Sequence, residues 1–306
     1  MPAIAARTSR WRLIVNAVLL LVLAGVLVAG HLLHWDDQLR LYWREQSVDA
    51  EQRAASIWLP DYELALETTL AGLEEDETSG LTWSPLSGTL WTVTGQNPQL
   101  VEFTPTGLVL RRIRLNGFSD PEAVEALGDG RLAVVDERRR LVAVVNPEPG
   151  MESIDLDDLA VYDLGFADAG NKGFEGLAWN PRTQRLLLAK ERDPQGLFEL
   201  PFPGEDGAVG VLEALPRQPL LVRDDISSVA IDPQSGHTLM LSDESRLLVE
   251  LDRQGKPRSF MALFGGLNGL IHGIDQAEGV AMDEQGNIYV VGEPNRFYVF
   301  SRKPVR

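Results

Sequence analysis

The sequence predicts an all-β protein folded as a five-bladed β-propeller with an N-terminal transmembrane helix, and three observations carry that prediction. First, a short apolar strand opened by serine or glutamate recurs five times: SGLTW at Ser79, EAVEA at Glu122, EGLAW at Glu175, SSVAI at Ser227 and EGVAM at Glu278. The intervals are 43, 53, 52 and 51 residues, the length of four-stranded propeller blades. Second, the fifth copy ends at Arg306 with no room for a fourth strand, while Tyr62–Leu70 (YELALETTL) alternates like a strand ahead of the first copy. Adding that strand to the last blade closes the ring and removes its open edge. Third, the chain begins with a basic stretch and then a long apolar run.

Within each copy the strands are short, apolar or β-branched, and bounded by turn residues. Ala277–Phe300 (AEGVAMDEQGNIYVVGEPNRFYVF) gives the pattern: a strand at Gly279–Met282, a polar turn, Ile288–Val291, an acidic turn, then Arg296–Phe300. Second strands are expected at Leu90–Thr94, Leu132–Val135, Leu186–Ala189 and Leu239–Ser242 in the other copies. Third strands are expected at Gln99–Phe103, Leu141–Val145, Leu197–Pro201 and Leu247–Leu251, and variable fourth strands at positions such as Val109–Leu115 and Val161–Leu164. A six-bladed ring is the alternative, if two irregular units are merged around Glu205–Arg223.

Arg7, Arg10 and Arg12 precede Leu13–Leu33, whose only polar side chains are Asn16 and His31. As a helix this run is about 30 Å long, the thickness of a bilayer core. Basic residues before it, with Asp36 and Asp37 after it, place the N-terminus in the cytoplasm and the remainder in a bacterial periplasm, anchored in the inner membrane. The rival reading is a signal peptide cleaved near Ala29 and Gly30. Tyr42, Trp35 and Trp43 suit the outer interface. The organisation expected is therefore a basic segment (1–12), a membrane span (13–33), a helical linker (34–60) and a propeller (61–306). Asp36–Ile57, without Gly or Pro, reads as one helix that serves either as a spacer or as a packing element.

Composition excludes several classes. There is no cysteine, so no disulfide, thiolate metal site or lipidated N-terminal cysteine exists. A net charge of -17 argues against nucleic acid and favours cationic or basic ligands. No phosphate loop, nucleophile elbow or HExxH is present. Of four histidines, His31 and His34 belong to the membrane segment, His237 to a turn, and His272 to a glycine-rich loop before the last inner strand.

In a propeller the start of strand one and the end of strand two converge at one mouth of the central channel. The openers are Ser79, Glu122, Glu175, Ser227 and Glu278, with Glu77, Asp120 and Asp225 two residues before three of them; strand-two ends carry Gln96, Glu137, Glu191, Glu244 and Glu293. Crowded carboxylates must be protonated, paired or neutralised by a cation. A hard, oxygen-preferring ion such as Ca²⁺ satisfies several at once. Expected metal ligands are Glu122, Glu175, Asp225 and Glu278; expected ligand contacts on the same face are Glu137, Glu191, Glu244, Glu293 and Asn295. The competing reading is structural: an acidic opener bonds backbone amides of the next blade. Trp83 and Trp179, at matching strand positions, are expected between blades.

FEGLAWNP (174–181), AKERDP (189–194), DISSVAIDPQSG (225–236), LSDESRLLVELD (241–252), QAEGVAMD (276–283) and GEPNRFYVF (292–300) resemble the SdiA-regulated family of bacterial envelope proteins over most of 62–306. The resemblance implies a five-bladed propeller distantly related to NHL-repeat proteins, a calcium ion in a shared site, and an N-terminal membrane anchor. Ser79 and Gln96 depart from the pattern, standing where other blades have glutamates. Two functions follow as expectations: a periplasmic propeller that binds Ca²⁺ and presents that face to a small-molecule or protein ligand, or a calcium-dependent hydrolase of lactones, esters or phosphoesters. Candidate bases for the second are Glu191, Glu293 and His272.

Overall fold

The computed structural model describes residues 3–32, 35–165, 173–192, 195–202, 212–215 and 225–304. The strands form five sheets, each a meander whose innermost strand is the recurring apolar one. Blade one comprises Thr78–Ser84, Thr89–Thr94, Gln99–Phe103 and Val109–Asn116; blade two, Pro121–Ala126, Leu132–Asp136, Leu141–Val145 and Ala160–Asp163. Blade three comprises Phe174–Asn180, Arg185–Lys190, Gly196–Pro201 and Glu213–Ala214; blade four, Ser228–Ile231, Thr238–Ser242, Leu247–Leu251 and Pro257–Ala262. Blade five supplies Ala277–Met282, Ile288–Gly292 and Arg296–Arg302, and its outer strand is Tyr62–Thr69, antiparallel to Arg296–Arg302. The ring closes as the unpaired first strand required.

The core settles the blade count. Buried apolar residues fall into five clusters among the described residues, each at the seam between two neighbouring blades. The seam between the last and first blades, with Val291 and Phe297 against Leu90 and Phe103, completes the circle. Most of 205–223, where a sixth blade was considered, lies outside the described residues, but the five seams already close. One strand was not expected: Ser153–Asp155 runs parallel to the outer strand of blade one, so the connection inside blade two extends its neighbour.

The linker departs from the single helix expected. It breaks into α2 (Trp35–Glu45) and α3 (Ala50–Ala54). The Ser47 hydroxyl donates to the Arg44 carbonyl at the end of α2, and the Asp49 carboxylate accepts from the Gln52 amide to start α3 (2.8 Å), which is why short polar residues interrupt helices. The linker is a packing element: Leu41 is buried against blade four with Phe260. Beyond it, fully buried Glu250 accepts from the amides of Ile57 (2.8 Å) and Trp58 (3.0 Å) and from the Ser259 hydroxyl (2.6 Å). Arg302 and Lys303 hold the carbonyls of Ile57 and Pro60. Chain entry is thus clasped between blades four and five.

Ahead of the linker, α1 runs over Ala3–Leu32, and Leu13, Leu19, Leu20 and Leu21 on it are exposed. Among the described residues no helix is long and apolar enough to cross a membrane. Leu33 and the side chains of Leu27, Ala29, His31 and Leu32, part of the expected span, lie outside those residues.

Candidate metal centre at the channel mouth

The acidic openers are set by a repeated irregularity of the inner strand. Glu122, Glu175 and Glu278 each stand as one extra residue in the pairing with strand two: the register skips from Pro121 to Ala123, from Phe174 to Gly176 and from Ala277 to Gly279. A bulge of this kind turns its side chain away from the regular alternation. The residue after it must be small, because inner strands of adjacent blades approach closely there. A Cβ on Gly279 would lie 2.7 Å from the Gly80 carbonyl carbon of blade one. Where serine opens the strand, it stitches blades together instead. The Ser79 hydroxyl donates to the Glu122 carbonyl (2.8 Å) and the Ser227 hydroxyl to the Ala277 carbonyl (2.6 Å).

Two groups of carboxylates meet at this mouth. Asp120, Glu122 and Glu137 offer oxygens within 4.8 Å of one another, and so do Glu137, Glu175 and Glu191. Glu137 belongs to both, is buried, and is oriented by the Gly173 amide, which donates to its Oε1 (2.6 Å). Burial, with the charges of Asp120 and Glu137 added, pushes the Glu122 carboxyl up to about 8. Burial and then Glu191, Glu278 and Glu122 hold Glu175 well above the usual carboxylate range; burial and then Asp243 and Glu122 do the same to Glu278. Glu137 is raised by burial against the opposing Gly173 hydrogen bond. The cations nearby are engaged: Arg138 with Asp120 (2.8 Å) and Arg192 with Glu191 (2.5 Å) and with Glu244 at the rim, and the ammonium of fully buried Lys190 with the Arg192 carbonyl.

The structure therefore brings together Glu122, Glu175, Glu137 and Glu191 with Asp120, which the sequence places at the mouth but not among the expected ligands. Glu278 completes the electrostatic cluster from blade five without joining either close group. The other four lie outside both close groups and have partners of their own. Asp225 organises the turn after strand two of blade four, accepting from the Ser242 hydroxyl and from the amides of Asp243 (2.8 Å) and Glu244 (3.2 Å). Glu244 is exposed and paired with Arg192. Glu293 accepts from the Gln276 side chain (2.7 Å), and buried Asn295 donates to the Leu70 carbonyl (2.9 Å), tying the outer strand to blade five. His272 is exposed. Glu125, further along the blade-two inner strand, was not singled out, although the equivalent positions of other blades are Thr82, Ala178, Ala230 and Ala281. That contrast was available in the sequence.

A donor set made only of carboxylate oxygens, crowded within 4.8 Å of one another, suits a hard divalent cation. Fold and mouth together define a closed five-bladed β-propeller with an acidic channel entrance. The chain belongs to the SdiA-regulated family, whose model matches residues 54–301. Solved structures similar to it share little sequence. They include a nidogen/laminin complex (12% identity, 71% of this chain and 72% of that chain, TM-score 0.47) and a protein of unknown function from Bacteroides thetaiotaomicron (9%, 80% and 74%, 0.48). A luciferin-regenerating enzyme is a third (12%, 79% and 96%, 0.46).

Proposed function

We propose that this protein is a membrane-anchored periplasmic propeller that holds Ca²⁺ at the acidic channel mouth and presents that face to a small-molecule or protein ligand. The observation that carries the reading is the pair of carboxylate groups sharing Glu137. Asp120, Glu122, Glu137, Glu175 and Glu191 would hold the ion, with Glu278 contributing charge from blade five. A cation there neutralises the crowded charge of these carboxylates, and leaves Glu244 with Arg138 and Arg192 of the rim to contact a ligand. Binding is preferred to hydrolysis because the bases named for hydrolysis are engaged or solvent-exposed: Glu191 pairs with Arg192, Glu293 accepts from Gln276, and His272 is exposed. The test is metal content after stripping with chelator, reloading with Ca²⁺ and gel filtration. About one retained calcium per chain supports the reading, and none retained rejects it.

Anchoring rests on the exposed apolar side chains of α1 between Leu13 and Val28, which face outward from a chain whose linker is fastened to the propeller. An anchored protein resists alkaline extraction from bacterial membranes and exposes the propeller to protease only after the outer membrane is opened. Release into the soluble fraction with residues 1–30 missing would favour a cleaved signal peptide.

A further inference from the structure

The opposite mouth of the channel has a different chemistry. The last residues of the inner strands place Trp83, Ala126, Trp179, Ile231 and Met282 there, around a cavity of about 190 Å³. Glu125 lines this cavity, three residues and roughly 10 Å along its strand from Glu122. Because the equivalent positions of the other blades carry threonine or alanine, Glu125 is the one long side chain of its layer. Its carboxylate is fixed from both sides: the Thr82 hydroxyl of blade one donates to Oε2 (2.8 Å) and the Trp179 amide of blade three to Oε1 (2.9 Å). A carboxylate accepts about four hydrogen bonds, so capacity remains toward the cavity.

The walls are aromatic and acidic. Trp83 is held by its indole N–H, which donates to Glu284 (2.8 Å), and by stacking on Tyr289 at 6.1 Å and 8°. Each indole packs partly on a seam of the core and partly lines the cavity, so the expectation that both are core residues holds for one side of each ring. Among the described residues no lysine, arginine or histidine lines the cavity. An anion would meet two carboxylates and no donor of opposite charge. A bare Ca²⁺ or Mg²⁺ needs about six oxygens, and the lining is mostly apolar. An organic cation satisfies both features, since aromatic rings and a carboxylate in the same lining attract it together. The volume is below the roughly 300–1,000 Å³ of drug-sized sites, so the ligand is compact.

We propose that this second mouth binds a small organic cation, an ammonium or guanidinium group on a compact apolar body, between Trp83, Trp179 and the carboxylate of Glu125. Burial pushes the Glu125 carboxyl up to about 7, and an entering cation draws it into the charged form. The site is independent of the acidic mouth and needs no metal.

The test is titration calorimetry on the full chain in a maltoside detergent, which carries no ammonium group, using choline and its neutral carbon isostere 3,3-dimethylbutan-1-ol. Choline is expected to bind at least about tenfold more tightly than the isostere, a difference of about 1.4 kcal/mol. Glu125→Gln should lose at least that factor, while Glu152→Gln, an exposed residue away from both mouths, leaves choline binding unchanged. Equal binding of the isostere, unaltered binding in a folded Glu125→Gln variant, or no heat with choline, tetramethylammonium and guanidinium alike would overturn the proposal. Should Glu125→Gln fail to fold, the comparison of choline with its isostere on the unaltered chain decides the matter.

Discussion

Replacing Glu122 by glutamine should stabilise the metal-free protein, and only at neutral to alkaline pH. In the folded chain this carboxyl titrates at about 8 instead of its ordinary 4.5. Below pH 4.5 it is protonated whether the chain is folded or unfolded, so the group favours neither state. As pH rises from 4.5 to 8 the unfolded chain ionises while the folded chain keeps its proton, and stability falls until the folded group also ionises. At about 1.36 kcal/mol per pH unit the loss is of order 3–5 kcal/mol by pH 8. Glutamine keeps the shape and removes the titration. For a domain of this size that is roughly 6–20 °C in Tm, absent near pH 4.5 and full near pH 8. Calorimetric or circular-dichroism melts of chelator-treated wild-type and Glu122→Gln protein at several pH values provide the assay. Adding Ca²⁺ at pH 8 should raise the wild-type Tm, by about 2.7 kcal/mol of stability at a hundredfold excess over Kd, and should raise the variant less. A variant no more stable than wild type at pH 8, or one whose advantage is the same at pH 4.5, would refute the idea that crowded burial raises this carboxyl.

Three further outcomes follow from the packing. Glu250→Ala leaves the buried amides of Ile57 and Trp58 without their acceptor. At about 1–3 kcal/mol per orphaned group it should lower Tm by several degrees and hasten proteolysis near the linker; an unchanged melt would mean the clasp does not contribute to the cooperative unit. Asn295→Ala removes the bond to the Leu70 carbonyl and should cost about 1–2 kcal/mol, with faster hydrogen exchange along Tyr62–Thr69 as its specific sign. Gly279→Val puts side-chain atoms against the Gly80 backbone across the last seam and should prevent folding or cost several kcal/mol, whereas Gly128→Ala, at an exposed position whose added Cβ meets nothing within 4 Å, should cost about 1–2 kcal/mol through its positive φ alone.

The ring was legible because it repeats. Five copies of one apolar strand and a stray strand before them dictate both the number of blades and the closure between Tyr62–Thr69 and Arg296–Arg302. The acidic mouth was legible for the same reason at Glu122, Glu175, Glu137 and Glu191, where equal sequence position becomes equal position around the channel. Asp225 and Asn295 occupy comparable positions and turn inward to the backbone instead. A short polar side chain beside free N–H and C=O groups finds them first, and sequence spacing does not reveal which loop offers them. The linker helix was read too long because Ser47 and Asp49, good terminating and capping residues, were outweighed by a helix-forming composition around them. Glu125 passed as the polar half of an alternating strand; only its alanine and threonine counterparts mark it as the one long side chain of its layer.

The most direct test of the account is Ca²⁺ binding to the chelator-stripped full chain, measured by titration calorimetry at pH 8, for wild type and Glu137→Gln. Glu137 is common to both carboxylate groups, so the account predicts about one bound ion in wild type and at least a roughly tenfold loss, about 1.4 kcal/mol, in the variant. No binding to wild type, or binding unaffected by removing the shared carboxylate, would contradict it.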